Sequence, residues 1–163
     1  MNETIENVTK KLDELGIHYK LEEHEAVFTI EAMINIGLNK KGMIPVNLFL
    51  RDAKGKRHFL VIHDGENHTD IKKLQEQIGC TRLSFGSDER LMNHLGLTKG
   101  SVSPFGLINN TNHDVEVIID ESIKNQSRLG FHPNTNTATL FISYDDFMKF
   151  IDDCGNPVKY VNG

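Results

Sequence analysis

Two runs of strand-forming residues lie close together in the first half of the chain and predict a β-hairpin. VNLFL (46–50) and HFLVI (58–62) are rich in branched and aromatic residues, which favour strands. The linking DAKGK contains aspartate and glycine, which hairpin loops prefer. Because a hairpin pairs its strands antiparallel, we expect the sheet to be antiparallel at least in part.

The remaining strand-like runs also occur mostly in pairs. We predict a second hairpin from FGLIN (105–109) and VEVII (115–119), and a third from RLGF (128–131) and ATLFI (137–141). We also predict an early edge strand over residues 17–23 and a final strand at VKYV (158–161). Helices inserted between hairpins differ from the regular alternation of a doubly wound parallel sheet. The sheet is therefore expected to be curved and either mixed or antiparallel.

Helix signals separate these strands, and most combine a capping residue at the start with a glycine at the end. The predicted helices cover about residues 3–15, 30–36, 70–78, 87–95 and 143–154, and Thr29, Asp70, Ser87 and Ser143 are the predicted caps. A chain of 163 residues suits one hydrophobic core. We expect an α/β fold of the α+β kind, a single compact domain over residues 1–163 with helices around a curved sheet.

Charge is distributed unevenly along the chain. Residues 40–57 hold six cations and one acid, whereas the whole chain carries a net charge of −5. The six cations are Lys40, Lys41, Arg51, Lys54, Lys56 and Arg57. One basic segment on an acidic protein suits a limited contact with a polyanion. A lysine-rich hairpin turn that keeps the protein soluble explains the same composition equally well.

Several locations and chemistries lack support in the residues. The N-terminal residues lack the apolar region of a signal peptide, and no apolar run approaches the ~20 residues of a membrane helix, so we expect a cytoplasmic protein.

Cys80 and Cys154 form no CxxC pair and are expected to be structural thiols. His58, His63 and His68 are spaced by five residues, which does not favour a metal site. GxSxG, Walker and GxGxxG motifs are absent, and no cofactor is expected.

The loop within LGLTKGSVSPFGL (95–107) is a first candidate for a binding site. It places Gly100, small polar residues and Pro104 between a predicted helix and a predicted strand. Glycine allows the backbone to approach a ligand closely, and N–H groups in such a loop can face an anion. On these residues alone, an ordinary connecting loop is the better explanation.

Two histidines are further candidates. His132 stands at the end of a predicted strand within LGFHPNTNTAT (129–139), where a histidine can orient a substrate or exchange a proton with it. His24 lies near Thr29 and can line a pocket with it. A turn histidine and a satisfied surface histidine explain these two positions as well.

Four segments taken in order resemble the YbaK/ProX family, and within it the ProX/PrdX group of free-standing prolyl-tRNA editing domains. They are EHEAVFTIEAM (23–33), VNLFLRDAKGKRHFLVI (46–62), LSFGSDERLMNHLGLTKGSVSPFGLIN (83–109) and LGFHPNTNTATLFIS (129–143). The resemblance implies a compact α/β domain that hydrolyses alanyl-tRNA(Pro). It implies tRNA as a partner through the six cations of residues 40–57, with prolyl-tRNA synthetase as a second possible partner and with no DNA, metal or cofactor.

The resemblance also implies roles for individual residues. Gly100, Ser101, Val102, Ser103 and Pro104 correspond to the family's GxxxP loop, which holds the ester region. His132 corresponds to a histidine that positions the aminoacyl end, and Asn47 opens a strand that forms another wall of the pocket. Val46, Thr29 and His24 are expected beside the substrate. Water attacks the ester with the help of the ribose 2′-hydroxyl, so no enzyme nucleophile is needed.

The sequence departs from the family at one signature position. The family normally has lysine where this chain has Val46, and losing a group that stabilises developing charge costs on the order of 10²–10³ in rate. Three alternatives follow. Lys40, Lys41 or Arg51 replaces the lysine, or backbone donors and the 2′-hydroxyl suffice, or the protein binds an aminoacyl-tRNA or a small amino acid without hydrolysis. A DNA-binding or structural role is disfavoured by the acidic charge and by the absence of a helix-turn-helix.

Overall fold

The computed structural model describes residues 3–26, 30–64 and 70–162. Five α-helices and eight strands alternate irregularly along these residues. In chain order they are α1 (Glu3–Glu14), β1 (Tyr19–Glu23), α2 (Ile30–Asn35), β2 (Val46–Arg51), β3 (His58–His63), α3 (Ile71–Ile78), β4 (Ser84–Phe85), α4 (Asp88–Leu95), β5 (Val115–Asp120), β6 (Arg128–Phe131), β7 (Ala138–Ser143), α5 (Tyr144–Cys154) and β8 (Val158–Val161). Short 3-10 helices cover Leu38–Lys40, Lys99–Ser101, Pro104–Asn109 and Glu121–Asn125.

The strands form two sheets that lie next to each other in the fold. The first has the order β4-β2-β3-β5-β8 and mixes antiparallel with parallel pairs, and the second has the order β1-β7-β6 and is antiparallel throughout. Met43, just before β2, forms a parallel bridge with Leu129 of β6. This bridge brings the beginning of β2 beside the second sheet, and the mixed α/β fold class predicted from the sequence is confirmed.

The first predicted hairpin is present as β2 and β3. Asn47 pairs with Ile62 in an antiparallel register, and the turn is closed by the carboxylate of Asp52. Its Oδ1 accepts hydrogen bonds from the N–H groups of Lys56 (2.9 Å) and Arg57 (3.1 Å), and Gly55 takes a positive φ of 69°, which glycine adopts without strain. The predicted pairing of 128–131 with 137–141 is also confirmed, as β6 and β7.

The second predicted hairpin is wrong. Residues Pro104–Asn109 form a 3-10 helix, and β5 pairs parallel with β3 instead of folding back on the preceding segment. Pro104 stands at the start of this helix, where its fixed φ is favourable, and the Ser103 hydroxyl accepts the N–H of Phe105 at 3.2 Å. Phe105 and Leu107 are both buried, so an apolar run that resembled a strand is a short buried helix.

The predicted helix caps are confirmed wherever the structure describes them. The side chains of Asp70, Ser87 and Ser143 accept N–H groups of the first turns of α3, α4 and α5 at 3.1, 3.2 and 3.1 Å. The predicted cap Thr29 lies outside the described residues. Within the described residues, no helix is long and apolar enough to cross a membrane.

The two faces of the five-stranded sheet contribute to different parts of the core. One face, with Phe49, Leu60 and Ile62, packs in a large cluster that includes α1, α5 and the second sheet. The other face, with Leu50 and Phe59, packs against α3. Because side chains alternate along a strand, Asn47 lies on the Phe49 face of β2 and Val46 lies on the Leu48 and Leu50 face.

A buried histidine makes the stability of this fold sensitive to acid. Burial, together with the neighbouring His94 and Arg90, lowers the pKa of His58 from 6.5 to about 4. The unfolded chain therefore binds the proton more readily, and stability present above pH 6.5 is lost as the pH falls towards 4. We expect His58→Gln to reduce this loss by on the order of 1–2 kcal/mol, measured by urea unfolding at a series of pH values. Exposed His18→Gln serves as the control, and an equal reduction in that variant would contradict the assignment.

Candidate active site

Asn47 and His132, predicted from distant parts of the sequence, line the same small cavity. Its walls are Ile44, Pro45, Asn47, Gly130, Phe131, His132 and Thr139, and its volume is ≈ 20 Å³. The bridge between Met43 and Leu129 explains the juxtaposition, because it holds the residues that precede β2 against β6. A volume of this size has room for about one water molecule or a group of similar size.

His132 presents an acceptor nitrogen. The ring is buried, and its Nδ1 lies 3.0 Å from the carbonyl oxygen of Ala138. A carbonyl only accepts, so Nδ1 carries the hydrogen and the neutral ring has a lone pair on Nε2. Burial lowers the pKa of His132, an effect that the Ala138 carbonyl opposes and nearby His24 reinforces. His132 is therefore neutral at pH 7 and can accept a proton or a hydrogen bond through Nε2.

His24 is connected to this cavity through Thr139. Its Nδ1 lies 2.7 Å from the carbonyl oxygen of Glu25, and its Nε2 lies 2.9 Å from the hydroxyl of Thr139. By the same reasoning Nδ1 donates to Glu25, and the Thr139 hydroxyl donates to Nε2 when the ring is neutral. The rings of His24 and His132 are 6.5 Å apart between centroids, so the two histidines and the threonine form one polar group beside the cavity.

Asn47 contributes an amide to the wall of the cavity. Its side-chain Oδ1 is buried, and no described residue donates a hydrogen bond to it. A buried acceptor without a donor costs about 1–3 kcal/mol, which is a cost that a ligand with an N–H or O–H group can remove. The sequence did not identify Gly130 and Thr139 as site residues. The one signal for them was that a glycine and a polar residue interrupt two otherwise apolar strands.

The GxxxP loop lies near the His132 turn but is not part of the cavity wall. Ser101 and Ser103 are buried, and the N–H of Ser101 donates to the carbonyl of Thr98. Asn134, two residues after His132, donates from Nδ2 to the carbonyl oxygen of Phe105 at 3.3 Å. The roles predicted for Gly100, Ser101, Val102, Ser103 and Pro104 therefore stay predictions, supported by this contact between the two loops.

Val46 does not line the cavity. It is half-buried and lies on the opposite face of β2 from Asn47, as alternation along the strand requires. Arg51, one of the cations suggested as a replacement for the missing lysine, donates instead to the carbonyl oxygens of Asp52 and Ala53. It is roughly 14 Å from Asn47 along the strand, so Arg51 does not take the lysine's place at this cavity. The predicted role of Thr29 concerns a residue outside the described part of the chain.

The six cations of residues 40–57 separate into two groups in space. Lys40 and Lys41 precede β2 and lie at its cavity end, whereas the other four lie at or beside the turn of the β2–β3 hairpin. Arg57 is committed to Glu116 through two hydrogen bonds of 2.9 and 2.8 Å. The sequence segment is therefore not one continuous basic surface.

Other reactive groups do not form a second centre. The described residues contain no group of three or more histidine, cysteine, aspartate or glutamate side chains that could hold a metal ion. Burial raises the pKa of Cys154 to about 12 and that of Cys80 above its ordinary value. A thiol with a raised pKa is a poor nucleophile at neutral pH, which agrees with the prediction that both cysteines are structural.

Comparison with known proteins shows which proteins this chain is similar to. Residues 24–150 match the profile of the aminoacyl-tRNA editing domain. The prolyl-tRNA editing protein ProX of Acetoanaerobium sticklandii is 47% identical over 154 residues, which are 94% of each chain. The proline--tRNA ligase of Limosilactobacillus fermentum is 24% identical in an alignment of 149 positions that covers 82% of this chain and 25% of the ligase. A solved structure described as a candidate trans-editing enzyme for prolyl-tRNA synthetase has the same fold, with a TM-score of 0.76 at 22% identity and coverage of 100% of this chain and 99% of that one.

Proposed function

Because this chain belongs to the aminoacyl-tRNA editing domain family, we propose that it hydrolyses alanyl-tRNA(Pro) as a free-standing protein, with the whole of residues 1–163 acting as one editing domain. Membership in the family makes the chain an aminoacyl-tRNA deacylase. The observation that carries the choice of alanine is the ≈ 20 Å³ cavity beside His132 and Asn47, whose size suits a single small group.

The size of the cavity supports selection by exclusion. A synthetase pocket built for proline cannot strongly reject the smaller alanine, since a missing methylene is worth only about 1–3 kcal/mol. A second site that is too small for proline corrects this error, because it admits the methyl group of alanine and excludes the larger ring. Ile44, Pro45 and Phe131 supply the apolar walls that such a site requires.

In this proposal the residues of the cavity supply binding and proton acceptance, and water acts as the nucleophile. A water molecule attacks the ester carbonyl carbon, the bond to the ribose oxygen breaks, and alanine and tRNA with a free 3′-hydroxyl are released. In this proposal Nε2 of His132 accepts a hydrogen bond from the alanyl end or the attacking water, and the Asn47 amide also holds the alanyl end. Backbone groups of the loop Gly100–Pro104 and the substrate's 2′-hydroxyl stabilise the charge that develops on oxygen.

Two partners follow from the reaction. The tRNA acceptor end must reach the cavity, and prolyl-tRNA synthetase is the source of the mischarged tRNA. The likeness to a segment of a proline--tRNA ligase supports this relation, and we place the reaction in the cytoplasm, where tRNA is charged.

A competition among substrates tests the choice of alanine. Alanyl-, seryl- and prolyl-tRNA(Pro) are each incubated with catalytic amounts of the protein, and release of the labelled amino acid is followed. We expect alanyl-tRNA(Pro) to be hydrolysed at least about 10-fold faster than the others, which corresponds to about 1.4 kcal/mol of discrimination. Equal rates for alanyl- and prolyl-tRNA would show that the cavity is not the sieve.

A binding module is the second candidate, and the valine at position 46 is the observation that favours it. A chain without the family's lysine could hold an aminoacyl-tRNA end or a small amino acid without turnover. This alternative predicts saturable binding of alanyl-tRNA(Pro) with an intact ester after prolonged incubation, whereas repeated turnover removes it.

A further inference from the structure

Contacts bring three cations together on the second sheet and on the segment that precedes β2, and Lys40 is next to one of them in the chain. Lys20 of β1 lies directly opposite Phe141 of β7, and the guanidinium carbon of Arg128 lies 5.7 Å from the centre of the Phe141 ring. Lys20 and Lys41 approach the same oxygen of Glu22, at 3.4 and 2.9 Å. Lys20, Lys40, Lys41 and Arg128 are named the sheet patch below.

The sheet patch has more positive charge than its own acid can neutralise. Glu22 is the one carboxylate that pairs with these four cations among the described residues. The side chains of Lys20 and Lys41 are 60% and 43% exposed, and Lys40 and Arg128 are also exposed. On a protein with a net charge of −5, such a surface attracts a polyanion locally and with a defined orientation.

The sheet patch adjoins the cavity through the buried ring of Phe141. The ring of Phe141, which lies beneath Arg128, packs so closely on Gly130 that a Cβ atom at Gly130 would lie 2.7 Å from it. Gly130 in turn forms part of the cavity wall together with Thr139, two residues before Phe141 on the same strand. The Phe141 ring therefore contacts both Arg128 of the sheet patch and the Gly130 wall of the cavity.

The cations at the turn of the β2–β3 hairpin are less available to a polyanion near the cavity. Arg57 is bound to Glu116 and Arg51 to two carbonyl oxygens. Both lie at the far end of β2 from Asn47. Only Lys54 and Lys56 of this group are exposed, and they lie in the turn beyond Arg51.

We infer that the sheet patch binds the phosphodiester backbone of the single-stranded 3′ end of the tRNA and guides the aminoacyl group into the cavity. This inference rests on the proposed function, because it assigns a path to the substrate of the same site. Cations beside a groove are the feature by which proteins hold single strands without reading their sequence. Lys20 and Arg128 are the new members, since both lie outside the basic segment of the sequence.

Double substitutions test whether the sheet patch binds the 3′ end of the tRNA. The double variant Lys20→Gln/Arg128→Gln is compared with Lys72→Gln/Lys73→Gln, which removes the same charge from the exposed surface of α3, and with Lys54→Gln/Lys56→Gln at the turn. For each protein, kcat and KM for alanyl-tRNA(Pro) are measured at several salt concentrations. We expect the Lys20/Arg128 variant to raise KM about 10-fold with little change in kcat, and to reduce the slope of log(kcat/KM) against log[salt] by about 1.4, since each single-strand phosphate contact contributes about 0.7.

The controls separate the possible failures. The Lys72/Lys73 variant should keep the salt slope of the unaltered protein. An unchanged slope in the Lys20/Arg128 variant, or an equal loss in the Lys54/Lys56 variant, would overturn the assignment to the sheet patch. Failure of the unaltered protein to release alanine would instead reject the proposed function itself.

Discussion

The His132→Ala protein should hydrolyse alanyl-tRNA(Pro) about 10²-fold more slowly than the unaltered protein at saturating substrate, the lower part of the range for loss of a positioned proton acceptor. The reason is the fixed orientation of the ring. Nδ1 is occupied by the Ala138 carbonyl, which leaves Nε2 as the acceptor beside the cavity, and alanine removes that acceptor.

The pH dependence should identify the neutral form of His132 as the active one. Burial lowers the pKa of His132 below its ordinary value, so the ring loses its acceptor only on the acidic side of that value. We expect kcat/KM to be constant between about pH 6.5 and 8 and to fall at lower pH, with this acidic limb absent in His132→Ala. Exposed His18→Ala is the matched control. A full rate in His132→Ala, or an equal loss in His18→Ala, would contradict the role of His132.

The Gly130→Ala protein should lose most of its activity on alanyl-tRNA(Pro), by about 10²-fold, because the added methyl group reduces a site that holds one small group. A Cβ atom at this position would lie 2.7 Å from the ring of Phe141 and 3.2 Å from Cγ2 of Thr139. The cavity has only ≈ 20 Å³ to lose. The measurement is the hydrolysis rate of alanyl-tRNA(Pro) and of glycyl-tRNA(Pro), with the thermal unfolding temperature of each protein.

Glycyl-tRNA(Pro) separates a filled cavity from a damaged fold. Glycine has no methyl group to place in the cavity, so its ester should be hydrolysed by Gly130→Ala at nearly the rate of the unaltered protein. A second variant, Ile44→Ala, shortens another side chain of the cavity wall and should increase hydrolysis of prolyl-tRNA(Pro) relative to alanyl-tRNA(Pro). An unchanged ratio in Ile44→Ala would contradict the sieve, as would an equal loss on both esters in a Gly130→Ala protein that keeps its unfolding temperature.

Local features of the fold were predictable from the sequence, whereas long-range pairing was not. The hairpin of β2 and β3 and the caps Asp70, Ser87 and Ser143 depend on residues close together in the chain, and the structure confirms them. The parallel pairing of β3 with β5 joins segments separated by more than fifty residues. No turn residue marks such a long-range pairing. The apolar run 105–109 resembles a strand, so the sequence wrongly predicts that β5 pairs with that run.

In the candidate site, too, local features could be predicted from the sequence and long-range contacts could not. Motif order identified Asn47 and His132, but only the bridge between Met43 and Leu129 brings the two residues to one cavity. Conversely, closeness in sequence was misleading for the six cations of residues 40–57, because the length of β2 separates Lys41 from the turn. Thr139 was not predicted because its role depends on His24, 115 residues earlier.

The central claim is that this chain catalyses hydrolysis with valine at position 46, where the resemblance to the family implies lysine. The most direct test is the multiple-turnover rate on alanyl-tRNA(Pro) of the natural sequence and of Val46→Lys, measured side by side. Because Val46 lies on the face of β2 away from Asn47, we expect the natural chain to turn over repeatedly and Val46→Lys to change its rate by less than about 10-fold, or about 1.4 kcal/mol. No turnover by the natural chain, with activity restored by Val46→Lys, would contradict this account and would identify the protein as a binding module that has lost its chemistry.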